Sequence, residues 1–580
     1  MTATPLLRVS NLSVHFDRTA RPAVDNVSFE VAAGECLAIV GESGSGKSVT
    51  ARSLLGLAPA GAHVSFSELS LAGESLPAPG ARRWRSIRGA SIGLVLQDAL
   101  VSLDPLRPVG REIDDVLRLH TTLSQRERQA RVLELLDAVG IPDPALRARQ
   151  RSGELSGGLR QRALIAAGIA AGPALIIADE PTTALDVTVQ ARVLELLSSL
   201  RNNGTAMILI THDLAVVSRV ADRVAVMSEG RIVETGETNA LLRAPTALPT
   251  QQLLAAIPVD VPRGVPLTLP VDTEADLRAA AEADVGAAAE ASPGPVAISE
   301  PAAGPVSAAA TSNHATTAAS ADSAAPPALE LRSVSRRYPT PHGAPIQALD
   351  AVSLSLTAGT TLGLVGQSGS GKTTIARIAL GLETADSGEV LLAGREWGSL
   401  SARERRPLRP TLGAIYQDAL SSFDPRLSVE RILNDALSGR ASDTRRSLTT
   451  TAELLDAVGL PQSLKNRRPL HLSGGQRQRV AIARALAPGP QTILCDEPVS
   501  SLDVSTQARV LNLLDELQRH LRLSYLFISH DLGVIRHMSD RVAVITEGRI
   551  VETGETEEIF TNPRHPYTQS LLSALPRVRG

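Results

Sequence analysis

Two glycine-rich segments of this chain have the residue types and spacing of a phosphate-binding loop, G-x-x-x-x-G-K-[ST]. They read GESGSGKS from Gly41 and GQSGSGKT from Gly366. Glycines let successive backbone N–H groups curl around phosphate oxygens, and the N-terminus of a following helix adds positive potential. We expect Lys47 and Lys372 to reach the outer phosphates, while the last hydroxyl of each loop has the chemistry to bind Mg²⁺.

An apolar strand must run into each loop and a helix must leave it, and both loops meet this requirement. CLAIVG from Cys36 precedes the first loop and TLGLVG from Thr361 precedes the second. Two matches in the same context make a chance glycine turn a poor explanation. The predicted phosphate-binding residues are Gly41, Glu42, Ser43, Gly44, Ser45, Gly46, Lys47, Ser48 and Val49 in the first loop, and Gly366, Gln367, Ser368, Gly369, Ser370, Gly371, Lys372, Thr373 and Thr374 in the second.

Further motifs repeat downstream of each loop at a nearly constant offset, which is the pattern of an internal duplication. LSGGLRQR from Leu155 returns as LSGGQRQR from Leu472. An apolar strand that ends in Asp-Glu follows each of them, LIIADE up to Glu180 and TILCDE up to Glu497. With these motifs the chain resembles a tandem ABC-type ATPase over essentially its whole length except a central linker.

The resemblance implies roles for the carboxylates and for three other residue pairs. Each glutamate of the Asp-Glu strands would polarise the water that attacks the γ-phosphate, and a positioned general base is worth about 10²–10⁴ in rate. His212 and His530 would contact the γ-phosphate, although a lone histidine is more often structural. The implied metal-binding residues are Ser48, Gln97 and Asp179 in the first half and Thr373, Gln417 and Asp496 in the second.

Two aromatic residues upstream of the loops, Phe16 and Tyr338, could stack on adenine. An aromatic at a strand edge commonly belongs to a core instead. The two glutamines share a Q-D-A-L-x-S-x-D-P context. This repeated context favours a functional role over ordinary polar surface.

In the ABC family the two halves pack head to tail, so the resemblance implies two composite ATP sites. Site one would combine Lys47, Gln97, Glu180 and His212 with Ser473, Gly474, Gly475 and Gln476; site two would combine Lys372, Gln417, Glu497 and His530 with Ser156, Gly157 and Gly158. Both sites keep the base and the histidine, which predicts two hydrolytic sites. Leu159 stands where the second half has Gln476, and we expect site two to be weakened. His471 replaces Glu154 without a predicted effect.

The C-terminal stretch NPRHPYTQSLLSALP from Asn562 resembles the tail of ATPases that serve dipeptide, oligopeptide and nickel importers. His565, Pro566 and Tyr567 form its motif, and the first-half counterpart from Ala244 lacks it. The resemblance implies two transmembrane permease subunits and an extracytoplasmic solute-binding protein as partners. The alternatives are the ATPase of a drug or antibiotic exporter, and a soluble tandem ABC protein of translation or DNA repair. The resemblance thus implies the ATP-hydrolysing, energy-coupling subunit of an importer for dipeptides or oligopeptides, although the sequence does not name the particular solute.

Composition bounds the remaining possibilities. The 580 residues are 43% hydrophobic with a net charge of −3, so no basic footprint for nucleic acid is present. Cys36 and Cys495 alone cannot build a zinc or iron–sulfur framework. No run of 18 uncharged apolar residues occurs, and the N-terminus lacks the layout of a signal peptide. We expect a peripheral protein at the cytoplasmic face of the membrane, which it contacts only through partners.

The predicted fold class is α/β, with two P-loop ABC domains that each hold an antiparallel β subdomain, an α/β core and a helical subdomain. Residues 1–258 and 329–580 form the two domains, packed as an intramolecular dimer. Residues 259–328 have nine acidic residues, two arginines and no aromatic residue. This composition predicts a disordered linker. The helical subdomains, about 106–151 and 426–469, are where the family contacts membrane subunits.

Overall fold

The chain folds twice into the same α/β architecture, which confirms the predicted fold class. This computed structural model describes residues 5–17, 21–96, 102–182, 187–259, 261–268, 326–339, 345–439, 448–500 and 502–573. The first half has strands β1 (Leu7–Phe16), β2 (Val24–Val31), β3 (Cys36–Gly41), β4 (Ala62–Ser65), β5 (Glu68–Leu71), β6 (Glu74–Ser75), β7 (Ile92–Val95), β8 (Leu175–Asp179), β9 (Ala206–Ile210), β10 (Arg223–Ser228) and β11 (Arg231–Glu237). Its helices are α1 (Lys47–Leu54), α2 (Trp84–Ile87), α3 (Val109–His120), α4 (Gln125–Ala138), α5 (Pro144–Arg147), α6 (Gly157–Ile169), α7 (Val187–Asn202), α8 (Leu214–Val220), α9 (Thr238–Arg243) and α10 (Leu248–Ala255).

The second half repeats this order with one strand and one helix fewer among the described residues. Its strands are β12 (Leu329–Tyr338), β13 (Ile346–Leu356), β14 (Thr361–Val365), β15 (Ser387–Leu392), β16 (Arg395–Glu396), β17 (Leu412–Ile415), β18 (Thr492–Asp496), β19 (Ser524–Ile528), β20 (Arg541–Thr546) and β21 (Arg549–Glu555). Its helices are α11 (Lys372–Ala379), α12 (Ala402–Arg405), α13 (Val429–Ser438), α14 (Thr451–Ala457), α15 (Gly474–Leu486), α16 (Val504–Leu521), α17 (Leu532–Met538), α18 (Thr556–Thr561) and α19 (Pro566–Ser573).

A mainly parallel sheet forms the centre of each half. Its strand order is β11-β10-β3-β9-β8-β7 in the first half and β17-β18-β19-β14-β20-β21 in the second, with β11 and β21 antiparallel to their neighbours. These strands are apolar because helices cover one face and an antiparallel sheet covers the other. Along β3, for example, Cys36, Ala38 and Val40 face the helical core, and Leu37 and Ile39 face the antiparallel sheet.

Parallel pairing brings the carboxyl ends of the central strands to one edge, where open α/β sheets bind their ligands. Asp179 at the end of β8 pairs with Ile210 of β9, and Asp496 of β18 pairs with Ile528 of β19. The phosphate-binding loop leaves β3 or β14 at the same edge. The fold therefore places the loop, the Asp-Glu pair and the segment after β9 or β19 next to one another.

Residues 261–268, called the strap below, leave the first half and pack on the second. Leu267 is fully buried in the core of the second half, and its N–H donates to Asn512 Oδ1 at 3.0 Å. His537 Nδ1 lies 3.2 Å from the carbonyl oxygen of Val261. Arg263 pairs with Asp540. Residues 261–268 are thus ordered by contacts with the second half, although the sequence predicts disorder for 259–328. Residues 269–325 of that linker lie outside the described part.

Within the described ranges, no helix combines the length and apolar character needed to cross a bilayer.

Candidate functional site

Each phosphate-binding loop joins a buried central strand to a helix through a left-handed glycine. Gly46 precedes α1 with φ of 102°, and Gly371 precedes α11 with φ of 107°. A Cβ at Gly46 would lie 2.4 Å from the carbonyl oxygen of Ala23, and one at Gly371 2.7 Å from that of Ala348. Only glycine meets both constraints without a shift of the backbone.

The loop lysine folds back over the start of its own loop in both halves. Lys47 Nζ donates to the carbonyl oxygens of Gly41 (2.9 Å) and Glu42 (2.7 Å). Lys372 Nζ makes the corresponding contacts at 2.6 and 2.8 Å. The ammonium groups are thus held at the mouth of each loop, where the motif requires them.

Carboxylates from both halves act on Lys47. Burial lowers the pKa of Lys47, while the negative charges of Glu180, Asp503 and Asp179 oppose that effect. Asp503 belongs to the second half and lies at the start of α16. The electrostatic field at the first loop therefore depends on the second half.

A hydroxyl and a carboxylate that are suited to Mg²⁺ lie side by side at the first loop. Ser48 Oγ donates to Asp179 Oδ1 at 3.1 Å. Burial raises the pKa of Asp179 and also that of Asp496, the counterpart in the second half. A buried carboxylate gains from a bound cation, and hydroxyl and carboxylate oxygens are hard ligands, so these groups fit Mg²⁺.

The predicted base and the predicted histidine are in contact in both halves. His212 Nδ1 lies 3.0 Å from Glu180 Oε1, and His530 Nδ1 lies 3.1 Å from Glu497 Oε1. The side chains of the two glutamates are 14% and 16% exposed. Both glutamates have positive φ, 49° and 48°, and their N–H groups donate to Ile210 and Ile528 of the next strand. Such strained backbone is typical of functional sites.

The glutamate and histidine have opposite pKa shifts in the second half. Burial is the largest influence on His530 and favours the neutral ring, but the hydrogen bond and charge of Glu497 outweigh it and raise the pKa of His530. Burial also favours a neutral Glu497, yet the hydrogen bond and charge of His530 hold its pKa below the ordinary value. The pKa of His212 is raised in the same way, because Glu180 outweighs burial. An ionised Glu497 is the state that a water-polarising base needs.

The predicted glutamine joins this cluster in the second half. Gln417 Nε2 donates to Glu497 Oε2 at 2.8 Å. Glu497 is therefore held between an amide and an imidazole. Gln97, its counterpart, lies outside the described residues.

The two signature segments begin helices α6 and α15. Ser156 Oγ accepts the N–H of Leu159 at 3.4 Å, and Ser473 Oγ accepts that of Gln476 at 3.2 Å. Gln476 Oε1 in turn accepts the N–H of Ser473 at 3.2 Å, which completes a capping box that Leu159 cannot form. Gln476 is 3% exposed, and the two serines are exposed. Gln476 thus caps its own helix, and its contact with nucleotide stays a prediction.

The predicted adenine-stacking aromatics differ in their surroundings. Tyr338 Oη donates to Glu383 Oε2 at 2.9 Å, and the guanidinium of Arg336 lies 5.2 Å from its ring centroid. Phe16 is half-buried at the end of β1, where it pairs with Ala62 of β4. Adenine stacking by either ring stays a prediction.

Sequence reasoning missed one contact to the second loop. The hydroxyl of Tyr567 accepts the N–H of Gln367 at 3.0 Å, 200 positions away in the sequence. The His-Pro-Tyr motif was recognisable in the sequence, but nothing in it indicated where the ring would lie. Asp503 was missed too, although it repeats the position of Asp186 in the first half.

The paired loops, Asp-Glu strands and histidines define a P-loop ATPase with two sites. Comparison with known proteins agrees. Residues 24–183 and 349–500 match the family model described as ABC transporter, and residues 551–580 match the one described as oligopeptide/dipeptide transporter, C-terminal region. The chain belongs to the ABC transporter family, as its ATP-binding and ATP-hydrolysing component.

Three relatives are similar over nearly the whole chain. The oligopeptide transport ATP-binding protein OppD of Mycobacterium tuberculosis is 40% identical, over 99% of this chain and 99% of its own length. The peptidoglycan transport ATP-binding protein YejF of Agrobacterium fabrum is 40% identical, over 98% and 96%. The glutathione import ATP-binding protein GsiA of Salmonella typhimurium is 39% identical, over 98% and 89%. The predicted membership of a tandem ABC subfamily is confirmed.

Proposed function

We propose that this chain is the energy-coupling ATPase of an importer for short peptides. The observation that carries the proposal is the presence of two loop, Asp-Glu and histidine clusters on one chain whose C-terminal region matches oligopeptide and dipeptide transporters. The relatives named for oligopeptide transport and glutathione import support a peptide as the solute. The chain would act at the cytoplasmic face of the membrane.

We infer that the two ATP sites are composite. In site one, residues of the first loop would face the signature segment of the second half, and site two would be the reverse. The influence of Asp503 on Lys47 supports this arrangement, because a residue of one half acts on the loop of the other. Asp213 and Asp531 follow the two histidines; burial raises the pKa of Asp213, and the negative charge of Asp531 from the other half adds to that effect.

The chemistry at each site is assigned to the residues already in contact. Lys47 and Lys372 would hold the outer phosphates, and Glu180 and Glu497 would each accept a proton from the attacking water. Mg²⁺, when bound, would neutralise phosphate charge; its protein ligands would be Ser48 and Asp179 in the first half and Thr373 and Asp496 in the second, with the two glutamines nearby.

The two histidines would change their hydrogen-bond partner when a γ-phosphate is present. Each one contacts the base of its own half in this structure. A γ-phosphate offers the imidazolium a second acceptor, so ATP would draw the histidine away from the glutamate and leave the carboxylate to bind water. Hydrolysis would restore the original pair and let the halves reopen, which drives alternating access in the membrane partners.

A cleft beside the helical subdomain of the second half fits a segment of a membrane partner. Its volume is about 610 Å³, and Tyr416, Ser422, Ala436 and Arg484 lie in its wall. Tyr416 directly precedes Gln417, which contacts Glu497. A partner segment in this cleft would therefore act on the base through one glutamine. Two permease subunits and a solute-binding protein would complete the importer.

The proposal is tested by uptake of a labelled tripeptide in cells that lack this chain. The wild-type chain should restore uptake, and the Glu180→Gln/Glu497→Gln chain, expressed at an equal level, should not. Two outcomes contradict the proposal. Normal uptake without the chain, together with increased retention of a drug, would indicate an exporter; co-sedimentation with ribosomes and no permease would indicate a soluble ABC protein.

A further inference from the structure

The C-terminal helix of the second half touches the phosphate-binding loop. Tyr567 lies in the first turn of α19, and its hydroxyl accepts the N–H of Gln367, the second residue of the loop, at 3.0 Å. The ring is half-buried against the helical core of the second half. The packing of the ring thus fixes where the hydroxyl lies.

The start of α19 is anchored independently of the loop. The carboxylate of Glu552 on β21 accepts the N–H groups of Arg564 (2.7 Å) and His565 (3.1 Å). Burial favours a neutral Glu552, but the hydrogen bonds of this segment hold its pKa below the ordinary value. His565 Nδ1 accepts the N–H of Tyr567 at 3.2 Å, and Pro566 occupies the first helical position, where its missing N–H costs nothing. His565 and Pro566 therefore both help to fix the position of Tyr567.

The peptide group that Tyr567 holds is the one that receives the loop lysine. Its carbonyl, from Gly366, accepts Lys372 Nζ at 2.6 Å, and its N–H, from Gln367, donates to the tyrosine. A peptide held at both ends cannot rotate freely. The hydroxyl thus fixes the entry of the loop in one orientation before nucleotide arrives.

The first half provides a matched comparison. Glu234 accepts the N–H groups of Thr246 and Ala247 at 2.8 and 3.2 Å, as Glu552 does in the second half. Gln251 Nε2 donates to the carbonyl of Pro245, as Gln569 does to that of Pro563. Helix α10 therefore begins in the same frame as α19. The position of Tyr567 is occupied by Pro249, which has no hydroxyl to offer.

We propose that Tyr567 is a positioning residue for the second phosphate-binding loop, and that it raises the ATP affinity of the second site alone. Ordering the loop in advance removes part of the entropy cost of binding. The inference rests on the proposed role of the second loop in binding ATP. It makes the C-terminal helix of one half a part of that half's nucleotide site.

The test uses the full chain with Glu180→Gln and Glu497→Gln, so that ATP binds without turnover. Radiolabelled ATP is titrated in equilibrium dialysis with Mg²⁺, with and without Tyr567→Phe. We expect the Kd of one of the two sites to rise about 2- to 10-fold, the factor for one hydrogen bond. Lys372→Ala, which removes the second site, should abolish the effect. The matched control Pro249→Ala should leave both Kd values unchanged.

Hydrogen exchange gives a second readout that packing alone would not change. In the nucleotide-free chain, Tyr567→Phe should speed exchange in a peptide that spans Gln367 and leave the first loop unaffected. Unchanged Kd values with unchanged exchange would overturn the proposal. So would equal weakening of both sites with a lower melting temperature, which would indicate a general packing role. Failure of the wild-type chain to restore peptide uptake would count against the proposed function and not against this proposal.

Discussion

Replacing Arg263 with alanine should destabilise the second half of the chain, although Arg263 follows the first half in sequence. The reason is that the first half has an arginine at a position where the second half has a glutamine. In the first half, Arg201 Nη1 on α7 donates to Asp222 Oδ1 at 3.2 Å, and Asp222 in turn accepts the N–H of Cys36. The second half has Gln518 at the position of Arg201. The strap supplies the missing guanidinium.

The contacts of Arg263 set the size of the effect. Its side chain is 26% exposed and pairs with Asp540, which is 38% exposed and accepts the N–H of Thr361 at 2.7 Å. An ion pair this open to solvent is worth at most about 1 kcal/mol. The hydrogen bond from Arg263 Nη2 to Gln518 Oε1, at 2.5 Å, adds about 1 kcal/mol. A total loss of about 1–2 kcal/mol lowers the Tm of a domain of this size by about 2–8 °C.

The two tryptophans allow each half to be followed separately. Trp84 is 2% exposed in the first half and Trp397 is 1% exposed in the second, and the chain has no other tryptophan. With Trp84→Phe as background, the fluorescence of Trp397 reports thermal unfolding of the second half. Arg263→Ala should shift that transition downward. The transition of Trp84, measured with Trp397→Phe, should move less.

A rescue variant makes the prediction specific. Adding Gln518→Arg and Thr361→Cys to Arg263→Ala gives the second half the same residue types that the first half has at these two positions. This triple variant should recover most of the lost stability. Arg278→Ala, the other arginine between 259 and 328, controls for charge alone. An unchanged Trp397 transition in Arg263→Ala would contradict a stabilising role of Arg263 in the second half, and so would an equal shift in Arg278→Ala.

Three further predictions concern the ATP sites. Glu180→Gln and Glu497→Gln should each lower phosphate release clearly, and together should lower it by about 10²–10⁴, because both bases have the same contact with a histidine; an unchanged rate in either single variant would show that its site does not hydrolyse ATP. The raised pKa of His530 means that its pairing stabilises the fold fully below pH about 6.5 and is lost as pH rises through the raised value. Denaturation followed by Trp397 should therefore show a smaller decline in stability between pH 6 and 9 in His530→Gln, and an identical decline would contradict this. Gly46→Ala should abolish ATP binding at the first loop and cost about 1–3 kcal/mol, because its Cβ would meet backbone at positive φ, whereas Gly153→Ala, in open space, should bind ATP normally.

Much of the fold could be predicted because its signals are local. Each loop motif specifies a strand before it and a helix after it, and the strands that end in Asp179 and Asp496 are buried along almost their whole length. Parallel pairing then brings the strand ends together, which places Glu180 and His212 3.0 Å apart. Helix α4 also follows from its pattern, with Val132, Leu135 and Leu136 buried, while Leu133 is 38% exposed because it lies about 100° around the helix from Val132.

The strap and the contact of Tyr567 depend on long-range packing that local patterns do not encode. A Pro- and Val-containing segment beside an acidic, alanine-rich stretch is typical of a linker, and only the second half provides the pocket that buries Leu267. One signal was present in the sequence. Aligning the halves shows that Arg201 becomes Gln518, which leaves the counterpart of Asp222 in need of a cation from elsewhere.

The covalent continuity of the two halves also fixes the stoichiometry of the assembly. Every molecule contains one copy of each half, so differences such as Leu159 against Gln476 and Pro249 against Tyr567 occur together in each particle. A dimer of identical chains must apply any substitution to both of its sites. In this chain, natural selection can act on one nucleotide site while the other keeps its sequence. Because both halves are made in equal amounts, every assembly contains the same pair of unequal sites.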